Sequence, residues 1–178
     1  TTNDYSSADY YYVNKSSLPK VYGGFNTSLS WKGFDLSAIF AYSIGGYIYN
    51  RDITMILHNG SLEGRDWSTE ILKRWTPDNR YTDVPALSTT SNNWNSASTR
   101  FLQNNSYMRL KNLTLSYNLP KQWISKLSLS SVQVYVQGDN LFTIHRNQGL
   151  DPEQGITGIT YYRYPAMRTI SGGINVSF

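Results

Sequence analysis

The chain has 178 residues, 39% of them hydrophobic and 16% charged, a balance that suits one folded domain rather than an acidic disordered chain. It has no run of ~18 consecutive apolar residues, which excludes a transmembrane helix, and no cysteine, which excludes disulfide frameworks and thiolate metal sites. The net charge of +4 is not clustered into a basic stripe, so we expect no nucleic-acid partner.

The first predicted elements are two strands joined by a tight turn, in residues 21–42. Apolar residues recur at alternate positions on both sides of Lys32 and Gly33, and glycine permits the positive φ that such a turn needs. The pattern predicts a β-hairpin with one apolar face. Its apolar residues are Phe25, Leu29, Trp31, Phe34, Leu36, Ala38, Phe40 and Tyr42. Ile39 and Ala41 interrupt the polar face.

One helix is predicted in the long segment that follows, residues 45–105. Asp66 is its expected N-cap, Glu70 lies near its positive end, and Pro77 ends it. The expected apolar stripe of this helix is Ile71, Leu72 and Trp75.

Three further strands are predicted in residues 106–120, 131–144 and 168–178. Each alternates apolar with small polar residues, and Pro120 ends the first because proline cannot donate to a sheet. Pro120 is also the expected first residue of a short helix over residues 121–127, whose apolar stripe is Trp123, Ile124 and Leu127. The residues expected to share one apolar face are Leu113, Leu115, Val132, Val134, Val136, Ile174 and Val176.

The connections between these five strands alternate in length. Short turns at one end and long loops at the other are typical of an outer-membrane β-barrel whose long loops lie outside the cell. Strands of ~10 residues also exceed the ~5–6 usual in soluble sheets. A soluble carbohydrate-binding β-sandwich alternates too and stays open as the alternative; dependence on detergent distinguishes the two.

Five antiparallel strands cannot close a barrel, because bacterial barrels have an even number of strands and at least eight. The fold class expected here is therefore all-β: the C-terminal strands of a large antiparallel transmembrane β-barrel, incomplete alone, with long extracellular loops. We expect the N-terminal remainder of the same barrel to pair with the free edges of the sheet. We expect the lipid bilayer to cover the apolar face.

Three stretches resemble the C-terminal end of SusC/RagA-type TonB-dependent transporters: "NNSYMRLKNLTLSYNLPKQWISKL", "VQVYVQGDNLFTI" followed by "GLDPE", and "YPAMRTISGGINVSF". "RWTPDNRYTDVPAL" is similar to a further segment of that family, and the resemblance covers roughly residues 20–178. It implies a ~22-stranded outer-membrane barrel with an internal plug. It also implies a SusD-like surface lipoprotein as lid, energy from TonB through the plug, and uptake of oligosaccharides or peptides. No plug is recognised in residues 1–178.

Six loop residues are candidate ligand contacts, because flat aromatic rings beside amide and guanidinium donors suit sugar rings. They are Asn92, Asn93, Trp94, Tyr161, Tyr162 and Arg163. Packing against a lid protein or a neighbouring loop is the alternative for the aromatic members. For Phe178 the resemblance implies a role as the terminal aromatic that the barrel-assembly machinery reads.

No residue set predicts catalysis or metal binding. His58 and His145 are isolated and are expected to be loop or surface histidines. Asp151 and Glu153, near Gly149, are expected to form a turn in which the aspartate bonds its own backbone. We therefore expect neither an enzyme nor a cofactor.

Overall fold

The computed structural model describes residues 4–60, 62, 64–88, 93, 95–147 and 149–178, with only the backbone of Leu127. The chain divides into two compact units. The first comprises Thr1–Ser17, Tyr47–Asn104 and Gln154–Arg163, and the second comprises Leu18–Gly46, Asn105–Glu153 and Tyr164–Phe178. Among the described residues, no helix is both long enough and apolar enough to cross a bilayer.

Strands dominate the described residues. In chain order they are β1 (Val21–Trp31), β2 (Phe34–Ile44), β3 (Tyr47–Asn50), β4 (Leu102–Asn104), β5 (Tyr107–Asn118), β6 (Ser131–His145), β7 (Ile159–Thr160) and β8 (Thr169–Ser177). The helices are α1 (Arg51–Ile56) and α2 (Lys121–Ile124), and short 3₁₀ turns span Tyr5–Ser7, Thr69–Lys73, Thr99–Phe101 and Ser125–Leu127.

The second unit is built on one five-stranded antiparallel sheet in the order β1-β2-β5-β6-β8. Each of the five predicted strands is confirmed. Lys32 and Gly33 join the first two with φ angles of 48° and 88°, so the predicted tight turn is confirmed as well.

The register places the alternating apolar residues on one face of this sheet. Leu29 lies opposite Leu36, Leu36 opposite Leu115, and Leu115 opposite Val136. All seven residues predicted to share a face do so. This face remains exposed, with 67% of Leu29 and 48% of Val136 accessible. An apolar surface of this extent marks contact with lipid, detergent or another protein.

The opposite face of the sheet is polar and hydrogen-bonded. The Asn112 amide donates to the Asp139 carboxylate at 2.8 Å, and the Gln137 amide donates to the same carboxylate at 3.2 Å. Near the hairpin, Asn118 donates to Asp35 at 2.7 Å. Ile39 and Ala41 are apolar exceptions on this face, as their positions in the sequence predicted.

A β-bulge in β5 keeps its apolar residues on one side. Leu110 lies opposite Phe40 and Asn112 lies opposite Ile39, so Lys111 is an extra residue in β5. Leu110 and Leu113 are three positions apart and would face opposite sides of a regular strand. The bulge resets the alternation, so that both face the apolar side.

The connection from β5 to β6 is short and contains α2. Pro120 is the N-cap of α2 rather than its first residue, which shifts the predicted start by one position. Ile124 is buried, whereas Trp123 is 64% exposed, so these two residues of the predicted apolar stripe differ in burial. The side chain of Leu127 lies outside the described residues.

The first unit contains a small sheet of order β4-β3-β7, with β3 antiparallel to β4 and parallel to β7. Asn50 ends β3 and caps α1, because its side-chain oxygen accepts a hydrogen bond from the Ile53 N–H at 3.1 Å. The buried apolar residues of this unit are Ile48, Ile71, Val84 and Phe101. These long connections therefore have their own small core.

The helix predicted after Asp66 is wrong in type and in start. The structure has a single 3₁₀ turn, Thr69–Lys73, and the cap is Ser68, whose hydroxyl accepts from the Glu70 N–H at 3.3 Å. Ile71 is buried, but Leu72 and Trp75 are exposed. A 3₁₀ turn has three residues per turn, so it does not align a stripe with a 3.6-residue period.

Candidate functional site

Two clusters of polar side chains in the part of the chain that the structure describes are candidate functional sites. The first is a cleft of about 490 Å³ in the first unit, here called the tyrosine cleft. It is lined by Asp52, Met55, Ile56, Gly64, Arg65, Asp66 and Tyr162. The second, in the second unit, is an ion cluster formed by Arg109, Lys111, Asp151 and Glu153.

Tyr162 is held in the tyrosine cleft in an unusual backbone conformation. Its φ is 50°, a value that bulky residues rarely adopt and that clusters at functional sites. The Asp52 carboxylate accepts its backbone N–H at 3.0 Å. Its hydroxyl donates to the Met55 sulfur at 3.5 Å and accepts from the Arg65 guanidinium at 3.5 Å. α1 and the segment after it thus hold both the backbone and the hydroxyl group of Tyr162.

Tyr161 extends the aromatic surface beside the cleft. Its ring centroid lies 4.1 Å from that of Tyr162, and the Arg51 guanidinium lies 4.8 Å from its ring centre. The side-chain hydrogen bond between the two tyrosines raises the pKa of Tyr161 and lowers the pKa of Tyr162. The result is an exposed surface of two rings bordered by cations and carboxylates.

The structure brings together only part of the predicted ligand set. Tyr161 and Tyr162 are in ring contact. Asn93 and Arg163 are exposed and are not among the lining residues. Asn92 and Trp94 lie outside the described residues. A ligand role for these six residues stays a prediction.

Sequence reasoning missed the residues of α1 and of the segment after it that contact Tyr161 and Tyr162: Arg51, Asp52, Met55 and Arg65. They lie about 100 positions before Tyr162, and no local pattern connects the two regions. The capping signal of Asn50, three residues before Ile53, and the acidic Asp52 in the first turn were local signs that a helix starts here.

The ion cluster joins β5 to the segment after β6. The Arg109 guanidinium donates to Asp151 at 2.6 Å, to Glu153 at 2.8 Å and to the Thr143 hydroxyl at 2.9 Å. Lys111, the bulge residue, binds Glu153 at 2.6 Å. The side chains of Arg109 and Asp151 are only 4% and 6% exposed, so this pair is buried.

The Asp151 carboxylate is held in its charged form. Burial alone raises its pKa, but the hydrogen bonds from the Ala166 N–H, from Arg109 and from the Glu153 N–H outweigh that effect, so its pKa lies below the usual 3.8. A lowered pKa stabilises the fold above the pKa of the unfolded chain, and the stabilisation is lost as pH falls through the folded-state pKa. The cluster therefore stays intact at neutral pH and weakens below about pH 3.8.

The predicted turn at Asp151 is confirmed, because the Glu153 N–H donates to the Asp151 side chain at 2.8 Å. His145 is exposed at the end of β6, as expected. His58 lies in a loop, one of the two expected positions, and it is buried there: its Nδ1 accepts the Trp67 indole N–H at 3.0 Å. Within the described ranges, no three histidine, cysteine, aspartate or glutamate side chains are arranged to hold a metal ion.

We predict that Arg109→Met lowers the free energy of unfolding by about 3–5 kcal/mol, because it leaves the buried Asp151 charge without its partner. The control is Lys73→Met, which removes one partner of the exposed Lys73–Glu70 pair and should cost at most about 1 kcal/mol. Urea titration of the detergent-solubilised protein measures both. Equal losses for the two variants would contradict the assignment of a buried ion cluster.

No family model matches the chain. It is 34% identical over 166 residues to TonB-dependent receptor P3 of Formosa agariphila, which covers 87% of this chain and 16% of that receptor. It is 27% identical over 168 residues to TonB-dependent receptor SusC of Bacteroides thetaiotaomicron, which covers 94% of this chain and 16% of SusC. The chain thus spans about a sixth of the length of these relatives.

A solved structure of the RagAB peptide importer, in its open-open state, superposes with a TM-score of 0.81 at 35% identity over 93% of this chain and 18% of that chain. The closed-closed state gives 0.80 at 36% identity over the same shares. The exposed apolar face and the five-stranded antiparallel sheet are the features expected of a section of such a receptor, as these matches indicate. The chain belongs to the SusC/RagA family of TonB-dependent receptors, and its sheet is a section of their β-barrel wall.

Proposed function

We propose that this chain is the C-terminal barrel segment of a longer receptor that imports a nutrient across the outer membrane. The observation that carries the proposal is the exposed apolar face of the sheet, since lipid covers such a face at no cost in hydrogen bonds. The similarity to P3, SusC and RagAB supports the same function. A water-soluble sandwich would need a second sheet over that face.

Aromatic residues at two levels of the apolar face support the membrane position. Phe34 and Tyr117 are in ring contact at 4.5 Å near the short turn, beside Trp31. Phe25 and Phe40 stack at 4.7 Å further along the strands. Trp31 lies six positions after Phe25, which is about 20 Å along a strand. At the strand tilt of ~35–45° in outer-membrane barrels this span is about 14–16 Å high, so both levels fit within the apolar band of ~25 Å.

The lengths of the connections set the orientation in this proposal. Short turns face the periplasm in such barrels and long loops face outwards. Residues 45–105 and 146–168 are then extracellular, where a SusD-like surface lipoprotein covers them as a lid. The N-terminal remainder of the receptor supplies the missing strands and the plug through which TonB delivers energy, and the barrel-assembly machinery inserts the whole.

For the cargo, the tyrosine cleft favours a peptide over an oligosaccharide. Arg65 and Asp66 place charges of both signs on the lining, which suits the carboxylate and ammonium groups of peptides. The relation to RagAB, a peptide importer, points the same way. The rings of Tyr161 and Tyr162 also suit sugars, so an oligosaccharide belongs in the test.

Val136→Arg tests the membrane position. Val136 lies in the middle of the apolar face, so a charge there should lower the free energy of unfolding by about 2–4 kcal/mol in lipid vesicles. Gln137→Arg is the control, because the next residue faces the polar side beside Asp139 and should lose little. Guanidinium titration of the full-length receptor in vesicles measures both, and an equal loss at the two positions would contradict the proposal.

Tyr162→Ala tests the tyrosine cleft. Removing a central aromatic from a binding site typically costs more than ~1 kcal/mol, so uptake of the peptide cargo should fall about tenfold. Tyr164→Ala is the control, since Tyr164 is 97% exposed two residues away. Uptake of labelled oligopeptides and oligosaccharides by cells with each variant gives both readouts. Similar uptake by the two variants would contradict a role of the tyrosine cleft in binding the cargo.

Deletion of Phe178 tests its proposed part in assembly. Phe178 is 92% exposed and directly follows β8. The deletion should reduce folded, heat-modifiable receptor in outer-membrane fractions severalfold. Ile174→Val, a conservative change on the same apolar face, should leave the amount nearly unchanged. Equal amounts of folded receptor from both variants would contradict a special role of Phe178 in assembly.

A further inference from the structure

The apolar face of the sheet contains a groove at the strand ends away from the short turns. Its volume is about 300 Å³, and Tyr42, Ile44, Met108, Ile144, His145 and Arg146 are among its lining residues. Tyr42 lies opposite Met108, and Met108 opposite Ile144, so the groove crosses β2, β5 and β6. We call it the Arg146 groove.

The groove continues the surface that the proposed function places in lipid. Ile44 is 53% exposed and Ile144 is 61% exposed. Tyr42 leans over Gly23 of the neighbouring strand, where an added Cβ would lie 3.0 Å from the tyrosine hydroxyl. Glycine at this position leaves room for the ring.

Neighbouring barrel strands cannot cover the groove. β1 and β8 flank the three strands that form it, and further strands can add only at those two edges. An occupant must therefore approach the face from the surrounding membrane or from another molecule.

Arg146 gives this apolar groove a positive charge. Its guanidinium makes no hydrogen bond or ion pair with the residues that the structure describes, and the same holds for the Tyr42 hydroxyl. The acidic residues of the following segment, Asp151 and Glu153, bind Arg109 and Lys111 instead. An unpaired cation and a free hydroxyl thus lie beside a wall of aliphatic side chains.

We propose that the Arg146 groove binds a phosphate-bearing glycolipid of the outer leaflet. An acyl chain packs on Ile44, Met108 and Ile144, and the phosphate accepts charge-assisted hydrogen bonds from Arg146. This inference rests on the proposed function, because the orientation proposed there places the groove at the outer leaflet. Charge complementarity favours a phosphate-bearing headgroup, and continuity with the lipid-facing surface favours a lipid; the comparison of lipids below tests the glycolipid.

Native mass spectrometry of the full-length receptor in detergent, with added diphosphoryl lipid A, tests the inference. Wild type should retain the lipid, and Arg146→Gln should lower its affinity about tenfold by removing a charge-assisted contact. Lys126→Gln is the control, because Lys126 is exposed in the turn at the opposite end of the strands and should bind as wild type does. Ile144→Gln should also weaken binding.

Two further arms identify the occupant. Dephosphorylated lipid A should bind wild type and Arg146→Gln equally weakly. Phosphatidylglycerol should bind more weakly than diphosphoryl lipid A, and equal binding would overturn the glycolipid assignment. A receptor dimer that buries the groove would overturn it too.

Membrane fractionation and uptake assays on the same variants separate this inference from the proposed function. A receptor that assembles in the outer membrane and imports cargo, but binds lipid A equally with and without Arg146, overturns the groove alone. A receptor that never reaches the outer membrane overturns both.

Discussion

Hydrocarbon solvates apolar side chains but offers no hydrogen bonds, and this pair of properties governs the five-stranded sheet. Leu29, Leu36, Leu115 and Val136 lie in one row across four strands, and water contact at such a row would cost ~25 cal/mol per Å² of apolar surface. Each backbone N–H or C=O group that is left unpaired in hydrocarbon costs several kcal/mol. Long paired strands satisfy both conditions, and the edges β1 and β8 need further strands.

The opposite face of the sheet carries polar and charged side chains that are hydrogen-bonded, and these side chains anchor the connection between β6 and β8. Arg109 points to this side and is buried against Asp151, which would be unfavourable for either charge alone. Asp151 also accepts the Ala166 N–H at 2.6 Å, so one carboxylate joins both ends of the connection. The middle of that connection, residues 154–163, belongs to the first unit and carries Tyr161 and Tyr162.

The sequence predicted what depends on period-two alternation and on turn chemistry. The five strands, the Lys32–Gly33 turn and the shared apolar face followed from positions alone, because a slip of one residue would reverse every side chain. The bulge at Lys111 was not predicted, since nothing local marks the extra residue in "RLKNL". The one helix predicted in the long segment is a 3₁₀ turn instead, and its N-cap is Ser68, two residues after the predicted Asp66.

The candidate site was predicted only in part because its residues come from distant segments. Tyr161 and Tyr162 were singled out as flat aromatics in a loop, whereas Arg51, Asp52 and Arg65 join them through folding of the first unit. The pairing of Arg109 with Asp151 is similar: two cations on an otherwise uncharged strand were a sign that acids lie nearby, and their identity needed the fold.

Site-directed spin labelling along β6 tests the lipid-facing sheet most directly. The chain has no cysteine of its own, and single cysteines at positions 132–137 are introduced into a cysteine-free variant of the full-length receptor and labelled in vesicles. Labels at 132, 134 and 136 should be accessible to oxygen, which partitions into hydrocarbon, and labels at 133, 135 and 137 to a water-soluble nickel chelate. Absence of this two-residue alternation, with all six labels accessible to the nickel chelate, would contradict a barrel wall in lipid.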